Sequence, residues 1–223
     1  GRTLGNNKQE TLAYIEEVRR LCSKYGDDGG DVSLHCDGAR SLNAAVALGV
    51  APAELLQSFD SISMCLSKGL GCPVGSVLAG GAKFIHNARR LRKMLGGGMR
   101  QGGILAAAGL YALESDWRAM LSRDHANAKR LGEMLNDISG FSVNMDDIDS
   151  NIICCDVDVG TVDGLVHRLR AEHGIAMSAS QYNSSSETLA RIRFVTHRDL
   201  GDEDIDIAAM AMRSIMKELG EAH

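Results

Sequence analysis

An acidic and a basic residue each follow a short apolar run in the first third of the chain. Asp37 stands in LHCDGAR, and Lys68 stands in MCLSKGLGCPVGS. Such runs are typical of β-strands, and open α/β sheets bind their ligands at the carboxyl ends of parallel strands. A lysine amine can form a Schiff base with an aldehyde, and a carboxylate can keep a pyridine nitrogen protonated. Together the two residues indicate the chemistry of pyridoxal phosphate (PLP).

Each of these residues also has a purely structural interpretation. An Asp at the end of a strand is commonly a helix N-cap or turn residue, and a Lys in a glycine-rich loop is commonly a solvated charge. A metal site is a further alternative, but the chain has no Cys-x-x-Cys pair, so we expect no metal and interpret the cysteines as buried thiols. The side chains that such a site would use are His35, Cys36, Cys65 and Cys72.

The elements that must position Asp37 and Lys68 follow from the hydrophobic pattern. Residues from about Lys8 to Tyr25 have apolar side chains at helical spacing, which predicts an opening helix. The connection between the first two predicted strands contains two helical segments, long enough to lay those strands parallel. This pattern predicts an α/β fold, with strands at 32–36, 61–66 and 76–79.

The second half of the chain has a different pattern. We expect one long helix over residues 104–138, with apolar side chains on one side and charges on the other. The runs FSVN, NIICCDVD, IAMSAS and LARIRFVT then combine with two helical segments in the order β-β-α-β-β-α. This order predicts a small α+β domain.

The amino-acid composition and charge limit the kinds of molecule that the chain is expected to bind. The 223 residues are 44% hydrophobic and 24% charged, with a net charge of −5 dispersed along the chain. A dispersed negative charge argues against nucleic acid and anionic membranes as partners, and no apolar stretch approaches the roughly 18 residues of a membrane span. The N-terminus lacks the apolar segment of a secretory signal. We therefore expect a cytoplasmic protein with small-molecule ligands.

Longer motifs add a resemblance to a known family. LHCDGAR-x-x-NAAVALG, SKGLG-x-PVGS and RKMLGGGMRQGG-x-LAAAGLYAL fill most of residues 34–113, and RIRFVTHRDL lies near residue 195. In these segments the chain resembles the threonine aldolases, which are PLP enzymes of fold type I. The resemblance implies cleavage of L-threonine or L-allo-threonine to glycine and acetaldehyde. It also implies a large PLP domain with a mostly parallel sheet at 1–105, a linking helix at 106–139 and a small α+β domain at 140–223.

The resemblance also implies roles for individual residues. Lys68 is expected to bind PLP covalently, and Asp37 to pair with the pyridinium nitrogen. Arg40 is expected beside the cofactor and the substrate carboxylate, and Arg193 to bind that carboxylate from the small domain. A planar guanidinium gives a carboxylate two parallel hydrogen bonds, which Lys cannot reproduce. The alternative for Arg193 is a strand charge that faces solvent.

Two basic residues flank a run of glycines. The resemblance implies that Lys93 and Arg100 reach the cofactor phosphate of a neighbouring subunit, and hence that the protein is a homodimer or homotetramer. The alternative is a basic helix end favoured by the helix dipole. The glycines at 96–98 fit either a helix stop or backbone amides presented to an anion.

The family's remaining site groups are not among these 223 residues. Threonine aldolases carry a phosphate-binding loop, a ring that stacks on the pyridine, and a histidine near the substrate hydroxyl in their N-terminal half. The resemblance begins around Gly1 and Arg2. We therefore expect the isolated chain to be inactive. Two further alternatives stay open, namely another fold-type-I lyase that catalyses β-elimination, and a catalytically inactive chain.

Overall fold

The computed structural model describes residues 7–25, 32–177 and 188–221. The chain divides into two compact units, with the division between Met120 and Leu121. The described residues include no helix long and apolar enough to cross a membrane. Each unit has its own three-stranded sheet.

The first unit opens with helix α1, Lys8–Lys24, which confirms the predicted opening helix. The Asn7 side chain accepts a hydrogen bond from the Glu10 backbone N–H at 3.0 Å and caps the helix. Ile15 of α1 is buried. It belongs to a small apolar cluster that also contains Ala45, Val50 and Leu55.

The first sheet consists of β1, His35–Asp37, β2, Ser61–Cys65, and β3, Ser76–Gly80. Strands β1 and β2 are parallel, as predicted, and α2, Ser41–Leu48, and α3, Pro52–Leu56, lie in the connection between them. Strand β1 begins later than expected, and Asp37 is its last residue instead of the residue after it.

The sheet of the first unit is not mostly parallel in its described part. Strand β3 pairs antiparallel with β2, with Cys65 opposite Ser76. The connection between them, residues 66–75, has no helix of its own and is too short for the crossover that a parallel pairing needs.

Three helices follow β3. They are α4, Ala82–Met94, α5, Gly103–Glu114, and α6, Trp117–Asn136. The predicted single helix over 104–138 is therefore wrong. Ser115 is extended, at φ −76° and ψ 169°, and the Asp116 carboxylate accepts a hydrogen bond from the Ala119 N–H at 3.1 Å, which starts a new helix. The domain boundaries at residues 105 and 139 remain predictions.

The second unit contains an antiparallel sheet in the order β4-β5-β6. Its elements largely follow the predicted order, but Ile175–Met177 form no strand, and the rest of the run IAMSAS lies outside the described residues. The elements are β4, Phe141–Val143, a short 3₁₀ turn, Met145–Asp147, β5, Ile152–Asp158, α7, Val159–His173, β6, Leu189–Val195, and α8, Asp202–Glu221.

The core of this unit follows from alternation along the strands. In β5, Ile153, Cys155 and Val157 are 0% exposed, while the residues between them face outward. Apolar side chains of α7 and α8 join this core, among them Leu165 and Ile215. Burial of one strand face against amphipathic helices stabilises the unit through the hydrophobic effect.

Candidate functional site

Asp37 is held at the end of β1 by a close approach to β2. The Gly38 N–H donates a hydrogen bond to the Ser63 carbonyl at 2.8 Å. A Cβ on residue 38 would lie 2.5 Å from Ile62 Cδ1 and 3.1 Å from the Ser63 carbonyl oxygen, so this close approach favours glycine. The Asp37 side chain is exposed, and among the described residues it makes no hydrogen bond or ion pair. Its interpretation as an N-cap is wrong, because Arg40 occupies the N-cap position of α2.

Lys68 lies in the loop that joins β2 to β3. This loop is closed by a hydrogen bond from the Leu66 N–H to the Gly75 carbonyl at 2.9 Å. The Gly71 N–H donates to the Lys68 carbonyl at 2.9 Å, and Gly71 adopts a φ of 68°, which favours glycine. The Lys68 side chain is exposed and has no hydrogen bond or ion pair in the part of the chain that the structure describes.

The parallel pairing brings Asp37 and Lys68 to one edge of the sheet. Asp37 is opposite Ser63 in the register, and Lys68 follows three residues after the end of β2 at Cys65. Since the carboxyl ends of parallel strands meet at the same edge, both residues lie near that edge. There the Asp37 carboxylate and the Lys68 amine are exposed and have no hydrogen-bond or ion-pair partner among the described residues.

A thiol lies next to this lysine. The Cys65 sulfur is 3.4 Å from the Ser67 hydroxyl oxygen. The hydrogen bond to Ser67 lowers the pKa of Cys65, and the positive charge of Lys68 lowers it further. The structure therefore places a polar, hydrogen-bonded segment directly before Lys68.

Arg40 stands three residues after Asp37 and is half-buried. Its carbonyl accepts the first hydrogen bond of α2, from the Ala44 N–H at 3.1 Å. The start of α2 therefore fixes the backbone of Arg40 close to the end of β1.

The glycines after α4 form a helix stop. The Gly96 N–H donates to the Lys93 carbonyl at 3.2 Å, and the Gly97 N–H donates to the Arg92 carbonyl at 2.8 Å. Gly96 has a φ of 82°, as expected for the left-handed residue of this motif. Both amides are occupied by the helix end, so they do not present themselves to an anion. The side chains of Lys93 and Arg100 are exposed, and the described part of the chain contains no ion-pair partner for either.

Arg193 lies in the second unit, on the outward face of β6. It is exposed and has no hydrogen-bond or ion-pair partner among residues 7–25, 32–177 and 188–221. Arg193 also helps to line a cavity of about 560 Å³ in this unit, together with His173, His197 and Asp204. The structure thus leaves its guanidinium available to a ligand.

Sequence reasoning did not single out two buried polar residues of α6. Asp124 is 0% exposed and burial raises its pKa. His125 is 8% exposed, and burial lowers its pKa to about 4, so its imidazole is neutral at pH 7. Their stretch SRDHANAKR has the composition of a solvated helix face, and only tertiary packing buries these two residues of it.

The cysteines are free thiols that differ in burial. All six cysteines are free, and Cys72 and Cys155 are buried, whereas Cys154 is exposed, contrary to expectation. The His35 Nδ1 atom lies 2.8 Å from the Ser61 hydroxyl oxygen. Within the described ranges, no group of three or more His, Cys, Asp or Glu residues could hold a metal ion.

The chain is similar in sequence to known proteins. The low-specificity L-threonine aldolase 1 of Arabidopsis thaliana is 40% identical over 214 residues, which cover 95% of this chain and 56% of that protein. The low specificity L-threonine aldolase of Escherichia coli K12 is 40% identical over 211 residues, which cover 95% of this chain and 58% of the relative. The chain therefore spans a little over half the length of these relatives.

A solved structure shows the same fold. The threonine aldolase of Leishmania major superposes with a TM-score of 0.71 at 16% identity, over 92% of this chain and 56% of that one. This agreement confirms the predicted fold class. The model of the β-eliminating lyase family matches residues 8–158, and the chain belongs to that family.

Proposed function

We propose that the protein is a PLP-dependent aldolase that cleaves L-threonine or L-allo-threonine to glycine and acetaldehyde. The observation that carries this proposal is the uncommitted pair of Asp37 and Lys68 at one edge of a parallel strand pair. Membership of the β-eliminating lyase family and the names of the 40% identical relatives support it.

The residues present fit PLP as the cofactor. A free lysine amine is needed to attach the cofactor aldehyde, and a free carboxylate is needed to keep the pyridine nitrogen protonated. Lys68 and Asp37 are exposed and make no competing hydrogen bond among the described residues. When bound, PLP supplies an electron sink for the charge that develops at the substrate α-carbon.

The remaining polar residues would bind and orient the substrate. Arg40 and Arg193 would each offer a planar guanidinium to the amino-acid carboxylate, and such bidentate contacts fix orientation as well as charge. The Asp37 carboxylate would accept a hydrogen bond from the protonated pyridine nitrogen and so keep that proton on the ring. Lys68 would hold the cofactor through its amine.

We also propose that the active protein is a homodimer or homotetramer, in which Lys93 and Arg100 bind the cofactor phosphate of a neighbouring subunit. Both side chains are exposed and have no ion-pair partner in the described part of the chain. The exposed apolar side chains of α4, among them Leu91 and Met94, support an interface nearby, since solvated apolar patches commonly mark contact surfaces.

Six free thiols support a reducing, cytoplasmic location.

Borohydride trapping tests the proposal. The complete gene product that includes these residues would be loaded with PLP, reduced with borohydride and digested, and the labelled peptide would be mapped. We expect the label on Lys68, and its loss in the variant Lys68→Arg with PLP still detectable in solution. Label on Lys83 or Lys93 with none on Lys68 would contradict the assignment.

A substrate comparison separates the alternatives. The same preparation would be assayed with L-threonine, L-allo-threonine, L-tyrosine and cystathionine, with acetaldehyde and ammonia as products to be measured. We expect acetaldehyde from one or both threonine isomers. Ammonia from tyrosine or cystathionine without acetaldehyde from threonine would favour β-elimination, and no reaction from a fully loaded protein would favour an inactive chain.

A further inference from the structure

Two arginines lie on the same outward face of β6 but have different surroundings. Arg191 and Arg193 are two residues apart in an antiparallel strand, so their side chains point to the same side of the sheet. The register places Asp156 opposite Arg191 and Cys154 opposite Arg193. The two arginines therefore differ chiefly in the β5 residue that lies opposite each of them.

Both carboxylate oxygens of Asp156 accept hydrogen bonds from Arg191. Arg191 Nε donates to Asp156 Oδ1 at 2.7 Å, and Arg191 Nη2 donates to Asp156 Oδ2 at 2.7 Å. This is the bidentate arrangement in which a guanidinium matches a carboxylate. Arg191 is consequently not available to another carboxylate.

Arg193 faces a thiol instead. Cys154 is exposed, and a neutral thiol cannot form the bidentate pair that a carboxylate forms. Directly opposite residues on one sheet face have Cβ atoms about 4.5–5.5 Å apart, so an acid at position 154 would be within reach of the guanidinium. Among the described residues Arg193 has no hydrogen-bond or ion-pair partner.

We propose that Cys154 is a positioning residue that keeps Arg193 available to the substrate carboxylate. The inference rests on the proposed function, in which Arg193 binds that carboxylate. What matters at position 154 is the absence of negative charge, because an acidic neighbour would compete with the substrate for the same two N–H donors.

A matched pair of variants tests this. Cys154→Asp and Cys154→Asn differ by one charge and hardly in size, and both would be made in the complete gene product. We expect Cys154→Asp to raise KM for threonine about three- to tenfold. Its kcat and the absorbance of bound PLP should change less than twofold, and Cys154→Asn should leave KM within about twofold of the parent.

A chemical version of the experiment does not depend on the folding of a variant. Iodoacetate adds a carboxylate to an exposed thiol, and iodoacetamide adds a neutral group of similar size. With modification of Cys154 verified by peptide mapping, and Cys154→Ser as the control for modification elsewhere, we expect only iodoacetate to raise KM. Equal effects of the two reagents, or of Asp and Asn, would overturn the inference because they would indicate bulk instead of charge.

One further variant separates this inference from the proposed function. Arg193→Gln should raise KM for threonine more than Cys154→Asp does. If Arg193→Gln raises KM and Cys154→Asp does not, the role of Cys154 is wrong while that of Arg193 stands. If Arg193→Gln leaves KM unchanged, the carboxylate-binding role of Arg193 fails, and the inference fails with it.

Discussion

The two units of the chain differ in how many of their apolar side chains are buried. In the first unit, every residue of β3 is exposed and α4 buries none of its residues. In the second unit, β5 alternates between outward residues and residues that are 0% exposed, and helices α7 and α8 join the same core. The second unit therefore buries most of its apolar side chains internally, with Ile207 and Met210 among the exceptions, whereas the first exposes many more.

Both units contain paired and unpaired charges. In the first unit, Lys8 pairs with Glu54 at 2.9 Å and Arg19 pairs with Asp60 at 2.7 Å. In the second unit, Arg130 pairs with Asp206 at 2.6 Å, and Arg168 pairs with both Glu172 and Glu218 at 2.6 and 2.7 Å. In the described part of the first unit, Lys68, Lys93 and Arg100 have no such partner. Arg193 of the second unit likewise has no such partner among the described residues. These four side chains therefore differ from the paired charges and are candidates for contacts with a ligand or another chain.

The largest effect on catalytic activity is expected at the candidate site. Asp37→Asn should leave the fold intact and lower turnover of threonine by about a hundredfold or more, which corresponds to about 2.7 kcal/mol of barrier. An amide cannot keep the pyridine nitrogen protonated, so the electron sink weakens. Steady-state kinetics on the complete gene product would measure this, with Asp163→Asn on the exposed side of α7 as the control. Unchanged turnover in Asp37→Asn would remove Asp37 from the mechanism.

A pair of truncations tests the difference in burial directly. Leu165 is 0% exposed in the second unit, and Leu91 is 54% exposed on α4. Leu165→Ala should lower the free energy of unfolding by about 2–5 kcal/mol, because it removes buried contacts and leaves a cavity. Leu91→Ala should change it by less than about 0.5 kcal/mol. Urea titrations followed by circular dichroism would show whether the two values are instead alike, which would refute the comparison.

The buried histidine of the second unit predicts a pH dependence. Burial lowers the folded-state pKa of His125 to about 4 from 6.5, so the unfolded chain binds this proton first as the pH falls. The contribution is therefore fully present above about pH 6.5 and is lost towards pH 4, with a loss of about 1–2 kcal/mol at pH 5. Unfolding free energies at pH 7.5 and pH 5.0 would measure it. The variant His125→Gln should lose less stability between these two pH values than the parent, and an identical loss would show that another group is responsible.

A smaller loss of stability than that of Leu165→Ala is expected where α6 begins. Asp116→Ala removes the side chain that accepts a hydrogen bond from the Ala119 N–H, and loss of such a cap costs about 1 kcal/mol. Thermal unfolding should show a lower midpoint for Asp116→Ala than for Glu114→Ala, which changes a charge without removing a cap. Equal midpoints would mean that the cap does not hold the start of α6.

Patterns local in the sequence predicted much of the fold. Apolar spacing located α1, the strands of both sheets and the helices of the second unit, because periodicity reports which face of an element is buried. The motifs around Asp37 and Lys68 predicted positions at strand ends; in the structure Asp37 ends β1 and Lys68 lies three residues after β2, while their common role stays a prediction. The break between α5 and α6 was missed, although Ser115 and Asp116 are residue types that favour a new N-cap.

Other features depended on contacts between residues far apart in the sequence. Only the pairing of β2 with β3 decided that this half of the first sheet is antiparallel, and only the hydrogen bonds of Gly96 and Gly97 decided between a helix stop and an anion site. Composition alone could not show that His125 is buried or that Arg191 is paired while Arg193 is not. Cross-strand register sets those partners. The alternation of apolar residues shows which face of a strand is buried, but the residue opposite each arginine is fixed only when the whole strands pair.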